Sequence, residues 1–197
     1  MKFWPDIMGN KRNIHDYLLN SSLVSEEKLL FPITETHCHL DMLKNIELKD
    51  LYDHLNQLGF SRIITIATSS KNFERVLEIK NCSSNIYFTL GTHPHEAKIF
   101  KDNDLNFIRD KFKKESRLVA VGEIGLDYYY DFSPREKQIS VFKKHLELAI
   151  ELELPVVIHT RDADDDMLNI LQEYAPKMKY KGVVHSFSSS QKLAEAA

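Results

Sequence analysis

The chain has 197 residues, of which 43% are hydrophobic and 28% charged, and its net charge is −3. This composition predicts a globular protein with one sizeable core and argues against a protein that coats nucleic acid through a generally positive surface. Two cysteines are too few for a disulfide framework, and no apolar stretch approaches the ~18 residues that cross a bilayer, so we expect a cytoplasmic protein without membrane contact.

Residues 1–32 precede the first predicted strand and form an N-terminal extension to which the sequence assigns no role. Six short apolar runs then follow, each without clean alternation, as is typical of parallel strands that are covered on both faces. These predicted strands are Ile33–Leu40, Arg62–Thr68, Ile86–Thr92, Leu118–Glu123, Pro155–Thr160 and Gly182–Phe187.

Between the predicted strands, apolar residues recur at the spacing of amphipathic helices. The first helical stripe comprises Leu48, Leu51, Leu55 and Leu58, with Gly59 as its expected C-cap. Ahead of the fourth helix, Ser133 and Glu136 predict a capping box, with Pro134 at the first helical position. Two basic runs, which end at Arg117 and Lys181, lead into strands and are interpreted as solvated faces. The alternation of strands and helices predicts a parallel α/β fold.

Two parallel architectures are compatible with this alternation, an open doubly wound sheet and a closed (β/α)₈ barrel of the TIM type. An open sheet usually carries a glycine-rich phosphate loop, and neither common form of that loop occurs here. A barrel instead distributes its chemistry over the carboxyl ends of many strands. The polar residues of this chain are distributed in that way, which favours the barrel.

Six of the nine histidines lie at the ends of predicted strands: His37, His39, His93, His95, His159 and His185. Residues two apart in a strand share a face, so the imidazoles of His37 and His39 are expected to point the same way. The carboxylate of Glu123, between Gly122 and Gly125, is the expected bridge between two divalent ions that share a water or hydroxide. Asp127 is interpreted either as an acceptor that supports a ligand histidine or as a loop carboxylate.

Five segments in this order resemble the TatD family of metal-dependent deoxyribonucleases, within the amidohydrolase-like barrels. They begin at Glu35 (ETHCHLD), Gly91 (GTHPHE), Val121 (VGEIGLDY), Pro155 (PVVIHTR) and His185 (HSFS), and the resemblance runs from about Ile33 to the last residue.

The resemblance implies that His37, His39 and Glu123 bind one metal and that Glu123, His159 and His185 bind the other. It implies hydrolysis of DNA phosphodiesters, usually from the 3′ end, with Mg²⁺, Mn²⁺ or Zn²⁺, and single-stranded DNA or 3′ ends as the substrate. It also implies that three further residues, His93, His95 and Arg161, lie on the phosphate side of the site. Arginine suits a phosphate because its planar guanidinium donates two parallel hydrogen bonds.

The chain departs from the family pattern in two places. The family supplies a further aspartate ligand after its seventh strand, and this sequence has no matching Glu-Thr-Asp segment. We therefore expect residues 33–197 to be a barrel truncated after about six βα units, because a complete barrel needs roughly 250 residues. The second departure is the extension of residues 1–32.

Three functions remain open on the sequence. The first is a two-metal nuclease with DNA as its substrate and no obligate protein partner. The second is an amide or ester hydrolase on the same scaffold, such as a D-aminoacyl deacylase, since a metal site activates water in either reaction. The third is an inactive, truncated remnant.

Overall fold

The structure is a computed structural model that describes residues 32–43, 47, 50, 52, 53, 60–130 and 132–196. The predicted N-terminal extension lies outside the described residues except for Pro32, as does most of the first predicted helix with Gly59. Six parallel strands form one sheet in chain order. They are β1 (Ile33–Cys38), β2 (Phe60–Ile66), β3 (Ile86–Leu90), β4 (Leu118–Asp127), β5 (Val156–Arg161) and β6 (Gly182–Val184).

The sheet is strongly curled. Neighbouring strands lie ~4.8 Å apart, so six strands in a flat sheet would separate the first from the last by about 24 Å. Instead, the imidazole rings of His37 on β1 and His185 after β6 are stacked, with 3.8 Å between their centroids. The predicted fold class, a β/α barrel of the TIM type, is confirmed, and the described residues supply six of its strands.

Helices cover the outside of this sheet. They are α1 (Phe73–Lys80), α2 (Asp102–Lys114), α3 (Arg135–Glu151), α4 (Asp164–Tyr174) and α5 (Gln191–Ala196), with short 3₁₀ turns at Leu40–Met42, Pro94–Ile99 and Ala175–Lys177. Apolar side chains of α3 and α4 pack on β4 and β5 and form the largest core cluster. No helix in the described part of the chain is both long and apolar enough to span a membrane.

Strand β4 is longer than predicted. It continues to Asp127, so Glu123 lies in the middle of the strand and not at its end. Gly122 and Gly125 adopt positive φ angles of 137° and 140°. The pairing register with β5 shifts between Gly122 and Ile124, so the strand accommodates these glycines as an irregularity and does not terminate there.

The predicted capping box at Ser133 is wrong. Helix α3 begins at Arg135 with Pro134 as its N-cap, and no side chain caps it. The Ser133 hydroxyl instead donates to the carbonyl oxygen of His95 at 2.8 Å and accepts from the backbone N–H of Lys98 at 3.1 Å. Ser133 thus joins the loop before α3 to the turn after β3, because distant backbone groups offer it better partners than the local N-terminus does.

The interpretation of Arg117 as a solvated residue is also wrong. Its guanidinium reaches the carbonyl oxygens of Lys80 at 2.7 Å and Ile86 at 3.1 Å, and it contacts that of Ser83 as well. These carbonyls end α1 and begin β3. Arg117, which immediately precedes β4, therefore ties the end of α1 and the start of β3 to the start of β4.

Candidate metal centre

Glu123 lies at the centre of the histidine cluster and is 3% exposed. The flanking glycines allow β5 to approach closely. A Cβ atom built on Gly122 would lie 2.4 Å from the Val157 carbonyl oxygen, and one on Gly125 would lie 2.0 Å from that of His159. Any larger residue at either position would push β5 away, so the glycines bring His159 within reach of Glu123.

The two carboxylate oxygens of Glu123 face different histidines. Oε2 lies 3.5 Å from Nε2 of His37 and 3.6 Å from Nε2 of His39. Oε1 lies 2.6 Å from Nε2 of His185 and 3.2 Å from Nδ1 of His159. Each carboxylate oxygen of Glu123 thus faces one pair of the predicted ligands.

A third histidine also approaches Oε1, since Nε2 of His93 lies 3.6 Å from it. Grouped by mutual distance, the potential ligand atoms form two sets, one of His37, Glu123 and His185 and the other of His93, Glu123 and His159. Within each set all ligand atoms lie within 4.8 Å of one another. The geometry therefore places His93, expected on the phosphate side, as near to Glu123 as the predicted ligands. The assignment of ligands to ions stays a prediction.

The donor atoms are suited to a divalent cation. Both ring nitrogens of His37 are buried and lack a hydrogen-bond partner among the described residues, which is costly unless a ligand uses them. Nδ1 of His39 lies 3.0 Å from the carbonyl oxygen of Ile66. A carbonyl can only accept, so the proton of a neutral His39 is at Nδ1, and the lone pair of Nε2 is directed to the Glu123 side.

Asp127 is a buried carboxylate in contact with two histidines. Its Oδ2 lies 2.9 Å from Nε2 of His159 and 2.9 Å from Nε2 of His95. Its Oδ1 accepts the backbone N–H groups of Tyr129 and Tyr130 at 3.1 and 3.0 Å. Because Nε2 of His159 is directed to Asp127, the other ring nitrogen, Nδ1, is directed to Glu123. This contact is the one expected of a carboxylate that orients a ligand histidine.

The pKa values in the centre follow from these contacts. Burial by itself raises the pKa of the Glu123 carboxyl, but hydrogen bonds from His159 and His185 outweigh it and hold that pKa well below its usual range. Asp127 behaves similarly, since hydrogen bonds from the Tyr130 backbone, His159 and His95 lower its pKa. Burial opposes protonation of His159, yet its two carboxylate neighbours raise its pKa overall. Both carboxylates are therefore ionised at neutral pH.

His93 differs from the other histidines in its charge state. Burial lowers its pKa to about 3, so its imidazole is neutral at physiological pH. Nδ1 of His93 accepts the backbone N–H of His95 at 3.2 Å. The single proton of the neutral ring is therefore at Nε2, on the side of Glu123. In this state His93 offers the centre a neutral N–H donor.

Cys38 lies outside the centre although it separates His37 from His39 in the sequence. Its Sγ contacts the carbonyl oxygen of Ile64 on β2 at 3.5 Å, and the side chain packs against the core cluster beneath that strand. Burial raises the pKa of its thiol to about 12. A thiol must lose its proton to bind a metal, so Cys38 is a packed core residue.

Arg161 lies at the end of β5, two residues beyond His159 and therefore on the same face of the strand. The carbon at the centre of its guanidinium lies 3.8 Å from the centroid of the Tyr129 ring and 5.0 Å from that of Tyr130. One face of the Arg161 guanidinium therefore lies against the Tyr129 ring. Its N–H groups lie in the plane of the guanidinium and are directed to its edges.

Sequence reasoning missed Gln138, which supports the centre from α3. Its Oε1 accepts the backbone N–H of Asp127 at 2.8 Å, and its Nε2 donates to the carbonyl oxygens of Asp127 and Ser133 at 3.0 and 2.9 Å. Gln138 is 1% exposed. The sequence held one signal for this role. Gln138 precedes Phe142 by four residues and so lies on the apolar stripe of the predicted helix, where a polar side chain is buried and needs hydrogen-bond partners.

A model of the family described as TatD-related DNase matches residues 34–197. The chain belongs to the TatD family. It is 33% identical over 175 residues to an uncharacterized metal-dependent hydrolase of Buchnera aphidicola, covering 82% of this chain and 64% of that protein. It is 31% identical over 143 residues to the deoxyribonuclease Tat-D of Schizosaccharomyces pombe, covering 68% of this chain and 46% of that one.

Among solved structures, the TatD homologue YJJV of Escherichia coli superimposes with a TM-score of 0.71 at 34% identity. The match covers 83% of this chain and 63% of that structure. The chain thus spans a little under two thirds of the length of the Buchnera aphidicola and Escherichia coli proteins and 46% of the Schizosaccharomyces pombe protein, and its fold agrees with that of the Escherichia coli structure over the shared part.

Proposed function

We propose that the protein is a metal-dependent phosphodiesterase that hydrolyses DNA, removing nucleotides from the 3′ end of single strands. The observation that carries the proposal is the Glu123 carboxylate, whose two oxygens face separate histidine pairs. Two divalent cations, drawn from Mg²⁺, Mn²⁺ and Zn²⁺, suit this set of nitrogen and oxygen donors. When bound, such cations supply Lewis-acid chemistry, which makes water more acidic and offsets the negative charge of a phosphate.

The protein residues around Glu123 have separable tasks in this proposal. His37 and His39 would hold one cation with Glu123, and His159 and His185 would hold the other with Glu123. Asp127 keeps the His159 ring in one orientation through its contact at Nε2. His93, as a neutral N–H donor, is available to a phosphate oxygen without competing for the cations by charge.

Two observations favour a phosphodiester over an amide or carboxylic ester. Arg161 follows the ligand His159 on the same face of β5, and among the described residues no side chain accepts a hydrogen bond from its guanidinium. A planar fork of donors beside a metal centre matches the paired oxygens of a phosphate. The relative in Schizosaccharomyces pombe that carries the name deoxyribonuclease adds support for DNA as the polymer.

The test is digestion of labelled single-stranded DNA by the full chain with Mn²⁺ and, separately, with EDTA. We expect digestion from the 3′ end that requires the metal, and a loss of at least about 100-fold in Glu123→Gln, because this variant removes the charge that both cations share. Glu96→Gln is the matched control, since Glu96 is a partly exposed glutamate near the same end of the sheet, and among the described residues its one ion pair is with Lys71.

Elemental analysis of each variant measures its bound metal and shows whether a loss of digestion is accompanied by a loss of metal. Undiminished digestion by Glu123→Gln would refute the proposed role of the carboxylate. Hydrolysis of a D-aminoacyl ester without digestion of DNA would refute the phosphodiesterase and favour the alternative amide or ester hydrolase.

A further inference from the structure

Three exposed aromatic side chains follow β4 and form what we call the aromatic patch: Tyr129, Tyr130 and Phe132. Their exposed fractions are 57%, 40% and 51%. Large aromatic side chains are normally well buried, and several exposed ones in one place mark a binding surface. Tyr128, the neighbour in sequence, is different because its hydroxyl donates to Asp166 at 2.6 Å and its ring packs on the core.

The rings of the patch are held in a fixed arrangement. Tyr130 and Phe132 are stacked with an interplanar angle of 9° and centroids 5.4 Å apart, while Tyr129 meets Tyr130 edge-on at 4.7 Å. The backbone N–H groups of both tyrosines are bound by Asp127. Such a preformed surface loses little entropy when a flat ligand stacks on it.

The patch is joined directly to the metal centre. The His95 ring contacts Phe132 and Tyr130 edge-on, with centroids 4.8 and 5.3 Å apart. The same His95 binds Asp127, which orients His159. A ligand on the patch is therefore adjacent to the Glu123 centre, and Asp127 supports both surfaces at once.

The charge beside the patch selects the kind of ligand. The Arg161 guanidinium lies over the Tyr129 ring, with 3.8 Å between its central carbon and the ring centroid, so a cation adjoins a flat apolar surface. A nucleotide combines these two features, since its base is flat and its phosphate is anionic. Inside a duplex, neighbouring bases cover both faces of a base, whereas an unpaired nucleotide can turn a whole face of its base to the patch.

We propose that the aromatic patch stacks the base of an unpaired nucleotide whose phosphate lies at Arg161, so that the enzyme selects single-stranded ends. This inference rests on the proposed function only in taking a nucleic acid as the polymer. The stacking itself is independent of hydrolysis. It assigns Tyr129, Tyr130 and Phe132 to substrate binding and not to the chemical step.

Binding and cleavage are measured separately to test it. The full chain is titrated in EDTA, where a metal-dependent enzyme does not cleave, against a fluorescent oligothymidylate and against the same oligonucleotide made of abasic residues. Fluorescence anisotropy gives the two dissociation constants. We expect oligothymidylate to bind about 5- to 150-fold more tightly, the range of base stacking on an aromatic ring.

The variants are Phe132→Leu and Tyr129→Leu, which keep an apolar side chain and remove the flat ring. Each is expected to lower the base-dependent ratio of the dissociation constants several-fold towards one. Tyr180→Leu is the matched control, because Tyr180 is also exposed but precedes β6 at the opposite end of the sheet, and it should keep the ratio of the unaltered chain.

Equal binding of the two oligonucleotides by the unaltered chain, or binding of neither, overturns the inference. So does a ratio that neither patch variant lowers. Digestion of oligothymidylate in Mn²⁺ tests the proposed function independently. Base-dependent binding without digestion would refute the proposed function and support the role of the aromatic patch. Digestion with a ratio of one would support the proposed function and refute the role of the patch.

Discussion

His145 makes the stability of the protein depend on pH. It lies on the inner side of α3 and is fully buried, and its Nδ1 donates to the Val141 carbonyl oxygen at 2.8 Å while its Nε2 has no partner among the described residues. Burial lowers its pKa from 6.5 to about 4, an effect that the hydrogen bond to Val141 and the charge of nearby Asp104 only partly offset. Between pH 6.5 and about 4, His145 is therefore mostly neutral in the folded protein and mostly protonated in the unfolded chain.

The size of the effect follows from that difference. Each tenfold change in proton affinity is worth about 1.4 kcal/mol, so a fall in pKa from 6.5 to about 4 corresponds to about 3 kcal/mol. Because the pKa is lower in the folded state, this stability is fully present above pH 6.5. It is lost progressively as the pH falls to about 4.

The assay is urea unfolding of the unaltered chain and of His145→Gln at a series of pH values from 7.5 to 4. The difference between their free energies of unfolding should change by about 3 kcal/mol across this range, in favour of the variant at acid pH. Other titrating groups are common to both proteins and cancel. His145→Leu should behave in the same way. Parallel pH profiles for the three proteins would refute the reasoning.

Three further predictions concern the centre and its supports. Gln138→Leu leaves the N–H and C=O of Asp127 without partners, and urea unfolding should show a loss of about 2–5 kcal/mol, whereas a loss below 1 kcal/mol would contradict this role. Arg117→Ala should lower stability by about 1.5–3 kcal/mol, while Arg75→Ala, at an exposed ion pair, should change it by less than about 1 kcal/mol in the same assay. Metal binding should weaken below neutral pH and release protons, because the carboxylate neighbours raise the pKa of His159. Titration calorimetry in two buffers of different ionisation enthalpy measures this proton release. Metal binding without proton release would count against His159 as a ligand.

The part of the centre that sequence reasoning anticipated depends on topology alone. Carboxyl ends of parallel strands meet at one end of a barrel, so histidines at or just beyond the carboxyl ends of β1, β3, β5 and β6 had to converge, and Glu123 on β4 lies between them. What it could not anticipate depends on neighbours from distant segments. Gln138 on α3 hydrogen-bonds to Asp127 on β4, and Phe132 stacks on Tyr130 while both rings contact His95.

The amino-acid sequence by itself determined the alternation of strands and helices and the position of the histidines at strand ends, because hydrophobic periodicity and motif spacing are local properties. The tertiary structure decided which oxygen of Glu123 each histidine faces, why His93 is neutral, and why Ser133 bonds to His95 and not to the helix that it precedes. Those outcomes follow from burial and from competition between hydrogen-bond partners, which exist only once the sheet has curled and brought the His185 ring against that of His37.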